Sequence, residues 1–169
     1  MNAGMFDTDG AAIGLYVEDS LVRHGLNTAN AAGNFYMKPN GVFFIDNTGE
    51  PGIETSDIFA GHTTAPLWAT QSGPMLVIHG AYNPQISPDG QSKYIRNAVG
   101  IRHDGTALFV ISDDAVSFGR LARFLRDNLG CDDALYLDGA VSSLWVPSQG
   151  REDSRAPLGP ILVVSAKVK

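Results

Sequence analysis

The 169-residue sequence predicts an α+β domain, a largely antiparallel or mixed twisted sheet packed with a few helices. Short apolar runs of strand length recur between turn-forming stretches, and 19 glycines supply most of that punctuation. A single segment carries a clear helical period, and no regular alternation of strand and helix is present. Apolar residues make up 44% of the chain and charged residues 18%, the balance of a soluble globular protein. No fixed-period repeat, low-complexity tract or long linker divides the chain, so residues 1–169 read as one domain.

Taken in order, the predicted strands are Ile13–Val17, Val42–Asp46, Met75–Ile78, Ala98–Arg102, Ala107–Ser112, Ala134–Asp138 and Ile161–Ser165. Asp104-Gly105 joins two of them and reads as a type I′ hairpin turn, because that pair tolerates positive φ. Asp46-Asn47-Thr48-Gly49 and Ser87-Pro88-Asp89-Gly90 read as further turns. Ser117 is a fair N-cap for a helix in which Phe118, Leu121, Ala122, Leu125 and Leu129 recur at helical spacing, and Gly130 stops it. Arg120, Arg123 and Arg126 lie around its other faces and read as solvated charge. Asp7-Thr8-Asp9-Gly10 resembles the opening of a calcium loop but lacks the closing glutamate, and reads as a turn.

Charge narrows the partners. Twelve Lys and Arg against 18 Asp and Glu give a net charge of −6, which disfavours nucleic acid and anionic membrane surfaces. A phosphate group handled by such a chain needs a local basic spot. Cys131, the only cysteine, excludes an intrachain disulfide and reads as a small core residue. No apolar run approaches the ~18 residues of a membrane helix, and the N-terminus lacks a signal-peptide pattern. His24, His62, His79 and His103 show no ligand spacing, so no metal site is expected. Nucleotide-cradling glycine motifs and a Gly-x-Ser-x-Gly elbow are missing, and no cofactor is required by the sequence.

Chemistry concentrates in Ala134-Leu135-Tyr136-Leu137-Asp138-Gly139-Ala140-Val141-Ser142-Ser143. An apolar strand delivers Asp138 to its carboxyl end, Gly139 permits a sharp turn with exposed amides, and Ser142 and Ser143 add hydroxyls. The same residues also suit an Asp-Gly turn followed by capping serines. A second cluster, Tyr94-Ile95-Arg96-Asn97-Ala98-Val99-Gly100, sets a guanidinium and an amide before a strand, and Arg96 also reads as an ordinary edge charge. Ala69-Thr70-Gln71-Ser72-Gly73-Pro74, Asn2-Ala3-Gly4-Met5-Phe6-Asp7 and Gly33–Gly41 join uncharged polar groups to permissive backbone, which suits carbohydrate recognition.

Those clusters, in this order, resemble the phosphodiester glycosidase family over nearly the whole chain, and the small microbial exopolysaccharide-related branch more closely. The strings are Asn2-Ala3-Gly4-Met5-Phe6, Gly33–Phe43, Gln71-Ser72-Gly73-Pro74, Arg96–Gly100 and Leu137-Asp138-Gly139 with Ser142-Ser143. Ala140-Val141 replace the glycines found at this place in the branch that removes N-acetylglucosamine from a phosphodiester. Domains of this kind also begin with strands upstream of Asn2–Phe6; without them, a complete sheet and one borrowing an edge from a partner chain both stay open. The resemblance implies hydrolysis of a small-molecule or glycan sugar-1-phosphodiester at the C1–O bond. It implies Asp138 as nucleophile or base and Arg96 at the phosphate, with Ser142, Ser143 and the Gly139 amide on phosphate or sugar oxygens. Asn2, Gln71, Ser72 and Asn97 are expected to bind substrate. Export is implied by the resemblance alone. The alternatives are a non-catalytic carbohydrate- or phosphodiester-binding module, and a phosphodiesterase cutting P–O. The sugar, the aglycone and the oligomeric state are not encoded legibly.

Overall fold

The computed structural model describes residues 1–154 and 156–166. Strands β1 (Tyr16–Glu18), β2 (Leu21–His24), β3 (Gly41–Ile45), β4 (Pro51–Thr55) and β5 (Trp68–Ser72) form one sheet in the order β2-β1-β5-β3-β4. Strands β6 (Met75–Ile78), β7 (Ala81–Tyr82), β8 (Asn97–Arg102), β9 (Ala107–Ile111) and β10 (Cys131–Tyr136) form a second, ordered β7-β6-β10-β8-β9. A small hairpin pairs β11 (Trp145–Val146) with β12 (Arg151–Glu152). Every pairing is antiparallel. The fold is α+β, as the sequence predicts.

Period-two alternation builds the layers. On β10, Leu135, and Leu137 just beyond it, join Val99, Met75, Phe43 and Ile53 in a core between the sheets. Ala134 and Tyr136 face the other way, onto Leu121, Ala122 and Leu125. These belong to helix α2 (Phe118–Arg123), whose Ser117 cap accepts a hydrogen bond from the Arg120 amide. A π-helical turn, Phe124–Asn128, extends α2, and Gly130 ends the segment at φ 69°. On the first sheet, Val42 and Ala69 turn outward to meet Phe59 of helix α1 (Ser56–Phe59). The result is helix, sheet, sheet, helix.

Several expectations change. β2, β4 and β5 carry Gly, Pro, His or polar residues within short runs, and the apolar-run criterion passes over them. Ile161–Ser165 is not a strand: Ile161 makes one bridge with Asn2, and Leu162 exchanges main-chain hydrogen bonds with Met1, while Val163 and Val164 stay exposed. It has a partner for two residues only, too few for a ladder. The β8–β9 turn is also not type I′. Only Gly105 has positive φ, 81°, and its amide donates to the Arg102 carbonyl at 2.9 Å, so the loop is a turn closed by a left-handed glycine. Asp7 accepts from the Asp9 and Ala11 amides, which makes Asp7–Gly10 a turn. Cys131 is buried in the α2 core, its thiol against Gly100.

This layering predicts the cost of opening the central core. Leu135 is fully buried between the sheets, so Leu135→Ala is expected to destabilise the fold by about 2–5 kcal/mol, read from the denaturant midpoint at unchanged slope.

Candidate functional site

The register of β8 and β10 brings the main chemistry together. Tyr136 lies opposite Ala98, and the Leu137 amide donates to the Asn97 carbonyl at 3.1 Å, so the pairing continues past both strand ends. There the ladder stops: the Asp138 amide turns to the Ala3 carbonyl and the Arg96 amide to Ser112 Oγ, both at 3.0 Å. The strand alternation that sends Leu137 to the core between the sheets leaves Tyr136 on the α2 side, where the Arg96 guanidinium lies over Phe118.

Asp138 is 9% exposed. Its main-chain amide donates to the Ala3 carbonyl at 3.0 Å, and its Oδ1 accepts from the Ala140 amide at 3.1 Å, capping the 3₁₀ turn Gly139–Val141. The other oxygen, Oδ2, has no protein hydrogen bond among the described residues. Burial pushes the carboxyl above its ordinary value of 3.8, and the Ala140 amide pulls it partly back.

Around the turn, Asn2 ties three segments. Its Nδ2 donates to the Asp138 carbonyl at 2.6 Å, and its Oδ1 accepts from Asn97 Nδ2 at 2.9 Å and from the Ser143 amide at 2.9 Å. Ser142 Oγ lies 3.2 Å from Asn97 Oδ1 and 3.1 Å from the Ile95 carbonyl, joining the turn to the segment before β8. Ser143 Oγ donates to the Val141 carbonyl at 2.8 Å. The structure therefore brings Asn2, Asn97, Asp138, Gly139, Ser142 and Ser143 into one buried polar cluster.

Arg96 stands beside this cluster, 1% exposed. Its Nε donates to the Val116 carbonyl at 2.8 Å and its Nη2 to the Ser92 carbonyl at 3.2 Å. The guanidinium carbon lies 3.8 Å from the Phe118 ring centre, 5.3 Å from Tyr136 and 5.4 Å from Tyr94, a cation held among aromatic faces. The Tyr136 hydroxyl lies against Gly139, where a Cβ would sit. Sequence reasoning overlooked these three rings. For Tyr136 a signal existed: it lies two residues before Asp138 in the apolar run that leads to it.

Gln71 and Ser72 part company. Gln71 Oε1 accepts from the Leu15 and Asn27 amides, and its Nε2 donates to the Asn27 carbonyl and Ser56 Oγ. With its amide saturated, Gln71 braces loops of the first sheet and is not brought into the Asp138 cluster. Ser72 points the other way, on the face of Thr70, whose Oγ1 accepts from the Gly4 amide at 3.1 Å. The Ser72 hydroxyl is fully buried with no partner among the described residues. Among those residues no three His, Cys, Asp or Glu side chains converge as metal ligands. What the cluster offers chemically is one carboxylate with a free oxygen, backed by hydroxyls, amides and a buried cation.

Comparison with known proteins follows the same outline. A sequence model of the family described as phosphodiester glycosidase matches residues 1–165. The Escherichia coli (strain K12) protein described as uncharacterized protein YigE is 36% identical over 168 residues, 99% of this chain and 65% of that protein. The catalytic domain of zebrafish N-acetylglucosamine-1-phosphodiester alpha-N-acetylglucosaminidase, auto-inhibited by its pro-peptide, superposes with a TM-score of 0.58 at 20% identity. That superposition covers 82% of this chain and 49% of the zebrafish one, and shows a shared fold. The chain thus spans less than two thirds of the length of either protein.

The buried carboxyl makes stability depend on pH. Folding raises the affinity of Asp138 for its proton, so its relative stabilisation is complete below the unfolded value near 3.8 and is lost as pH rises through the folded value. Asp138→Asn keeps an acceptor for the Ala140 amide and removes the buried charge. It is expected to melt above the parent at pH 7, with the difference closing as pH falls towards 4, in paired calorimetric scans.

Proposed function

Because the chain belongs to the phosphodiester glycosidase family, we propose that it hydrolyses a sugar-1-phosphodiester at the C1–O bond, giving the sugar and a phosphomonoester. The observation that carries this reading is the Asp138 carboxylate, buried, raised in pKa, and with one oxygen unclaimed by the protein. In the nucleophile role that oxygen attacks C1, the C1–O bond breaks, and its electron pair leaves with the phosphate oxygen; water then releases the sugar from Asp138. In the base role Asp138 takes a proton from the water that attacks C1 directly. Either way the departing phosphomonoester is a weak base and needs little protonation, so a site with one carboxylate and fixed positive charge suffices.

Arg96 supplies that charge in this reading. Ser142, Ser143 and the Gly139 amide border the place where phosphate or sugar oxygens would lie. Asn2 and Asn97, already bonded to each other, act by holding the floor of the site. Ser72, with its unpartnered hydroxyl on the side facing Gly4, stays a candidate contact, whereas Gln71 serves the first sheet. The zebrafish neighbour's name supplies the first substrate to try, an N-acetylglucosamine 1-phosphodiester. A second reading, binding without turnover, draws on the same geometry, since most polar groups of the cluster are satisfied by one another.

Turnover in ¹⁸O-water separates the possibilities. C1–O hydrolysis places the label in the sugar, P–O cleavage places it in the phosphate, and a binding module releases neither product. Asp138→Asn is expected to lower kcat roughly 10²–10⁴-fold. The acidic limb of the parent's kcat/KM profile is expected above the ordinary carboxylate range, because Asp138 must be ionised to act. Full turnover by Asp138→Asn would remove the carboxylate from the mechanism.

A further inference from the structure

The groups that hold the Arg96 guanidinium are two carbonyls, the Ser92 hydroxyl and three aromatic rings. Tyr136 is the side chain that touches both these surroundings and the turn at Asp138. Its ring packs edge-on against Phe118, with centroids 4.7 Å apart, next to the Arg96 guanidinium. Its hydroxyl reaches the Cα of Gly139, the first residue of the turn that Asp138 caps. Tyr136 itself is 2% exposed, so its oxygen must find partners inside the protein.

Resting on the hydrolase reading above, we propose that Tyr136 is a positioning residue: its hydroxyl, wedged between Arg96 and Gly139, carries the influence of the buried cation to the turn that holds Asp138. The chemistry agrees. Burial and, less strongly, the Asp138 charge push the phenol's affinity for its proton up, against the pull of the Arg96 charge and of hydrogen bonding from Arg96 and the Gly139 amide, so Tyr136 stays a neutral phenol. It also fixes the position of Gly139, whose missing Cβ is what lets the oxygen approach. Without the hydroxyl, the Arg96 guanidinium loses a polar neighbour on the side of Gly139, and the turn loses its stop.

The test compares Tyr136→Phe with the parent and with Tyr82→Phe, which removes a phenol bonded to Asp127 on the exposed end of the second sheet. The substrate is the N-acetylglucosamine 1-phosphodiester. Tyr136→Phe is expected to lower kcat at least tenfold with KM within threefold of the parent, while Tyr82→Phe leaves both unchanged. A melting temperature lowered with kcat and KM intact would make Tyr136 a packing residue and overturn the proposal. Equal losses in kcat and KM for the two variants would overturn it too. If Tyr136→Phe fails to fold, 3-fluorotyrosine at position 136 keeps ring and hydroxyl but weakens the oxygen as an acceptor. A kcat several-fold lower at constant KM then supports the proposal, and an unchanged kcat ends it. A parent that cleaves no glycosyl phosphodiester refutes the hydrolase reading first and this inference with it, whereas an active parent with an equally active Tyr136→Phe refutes this inference alone.

Discussion

The site depends on the side chain of Asn2. A fully buried primary amide must satisfy its donors and acceptor inside the protein or forfeit the cost of desolvation. Asn2 does so by bonding to the Asp138 carbonyl, the Asn97 amide and the Ser143 main chain. Those partners lie at the end of β10, the start of β8 and the turn that follows Asp138. One amide near the N-terminus therefore sets its own segment against two others far away in sequence, the start of β8 and the turn around Asp138. The Ala3 carbonyl adds a fourth tie by accepting from the Asp138 amide. The Asp138 carboxylate takes a single hydrogen bond, from the Ala140 amide, while the backbone that carries it is held from both sides.

That arrangement leaves the carboxylate chemically free. A direct ion pair with Arg96 would lower the Asp138 pKa and occupy its second oxygen. Instead the balance on Asp138 is burial against a single amide, and the balance on Arg96 is carbonyls and aromatic faces. Arg96 does not figure among the influences on the Asp138 carboxyl, so neither charge neutralises the other. Such a layout costs stability, since an ionised buried carboxylate is poorly solvated. A fold selected for stability alone has no use for it, and an enzyme that needs an unencumbered carboxylate does.

Much of this was legible in the sequence, and the failures have physical causes. Apolar runs located β3, β6, β8, β9 and β10 because each has a core-facing side, and Ser117 to Gly130 announced α2 through cap, period and stop. β5 escapes the apolar-run criterion because Thr70 and Ser72 on one face and Gln71 on the other are all polar, and they satisfy neighbouring backbone or point into the protein interior. Gln71 shows the limit plainly: an amide side chain reads the same whether it binds sugar or braces a loop, and only its four internal hydrogen bonds decide. The approach of Arg96 to Tyr136 was beyond reach because the register of β8 on β10 is a tertiary property. Once it is known, Tyr136 follows from alternation.

The count of buried acids bears on the chemistry. Asp138 is the one Asp or Glu among the buried residues described. Glycosidases acting on ordinary glycosides use two carboxylates, one to protonate a poor alkoxide leaving group and one to assist attack. A phosphomonoester leaves without that help, so the acid becomes dispensable and the remaining need is for positive charge and hydrogen-bond donors near the phosphate. A single unpaired carboxylate, a cation buried beside it and a turn rich in amides and hydroxyls match that reduced demand more closely than they match the cleavage of a plain glycoside. A metal-dependent phosphodiesterase site needs several converging carboxylates or imidazoles, and no three such side chains converge among the described residues. The same economy explains how so few side chains, most of them busy holding one another, could still constitute a working site.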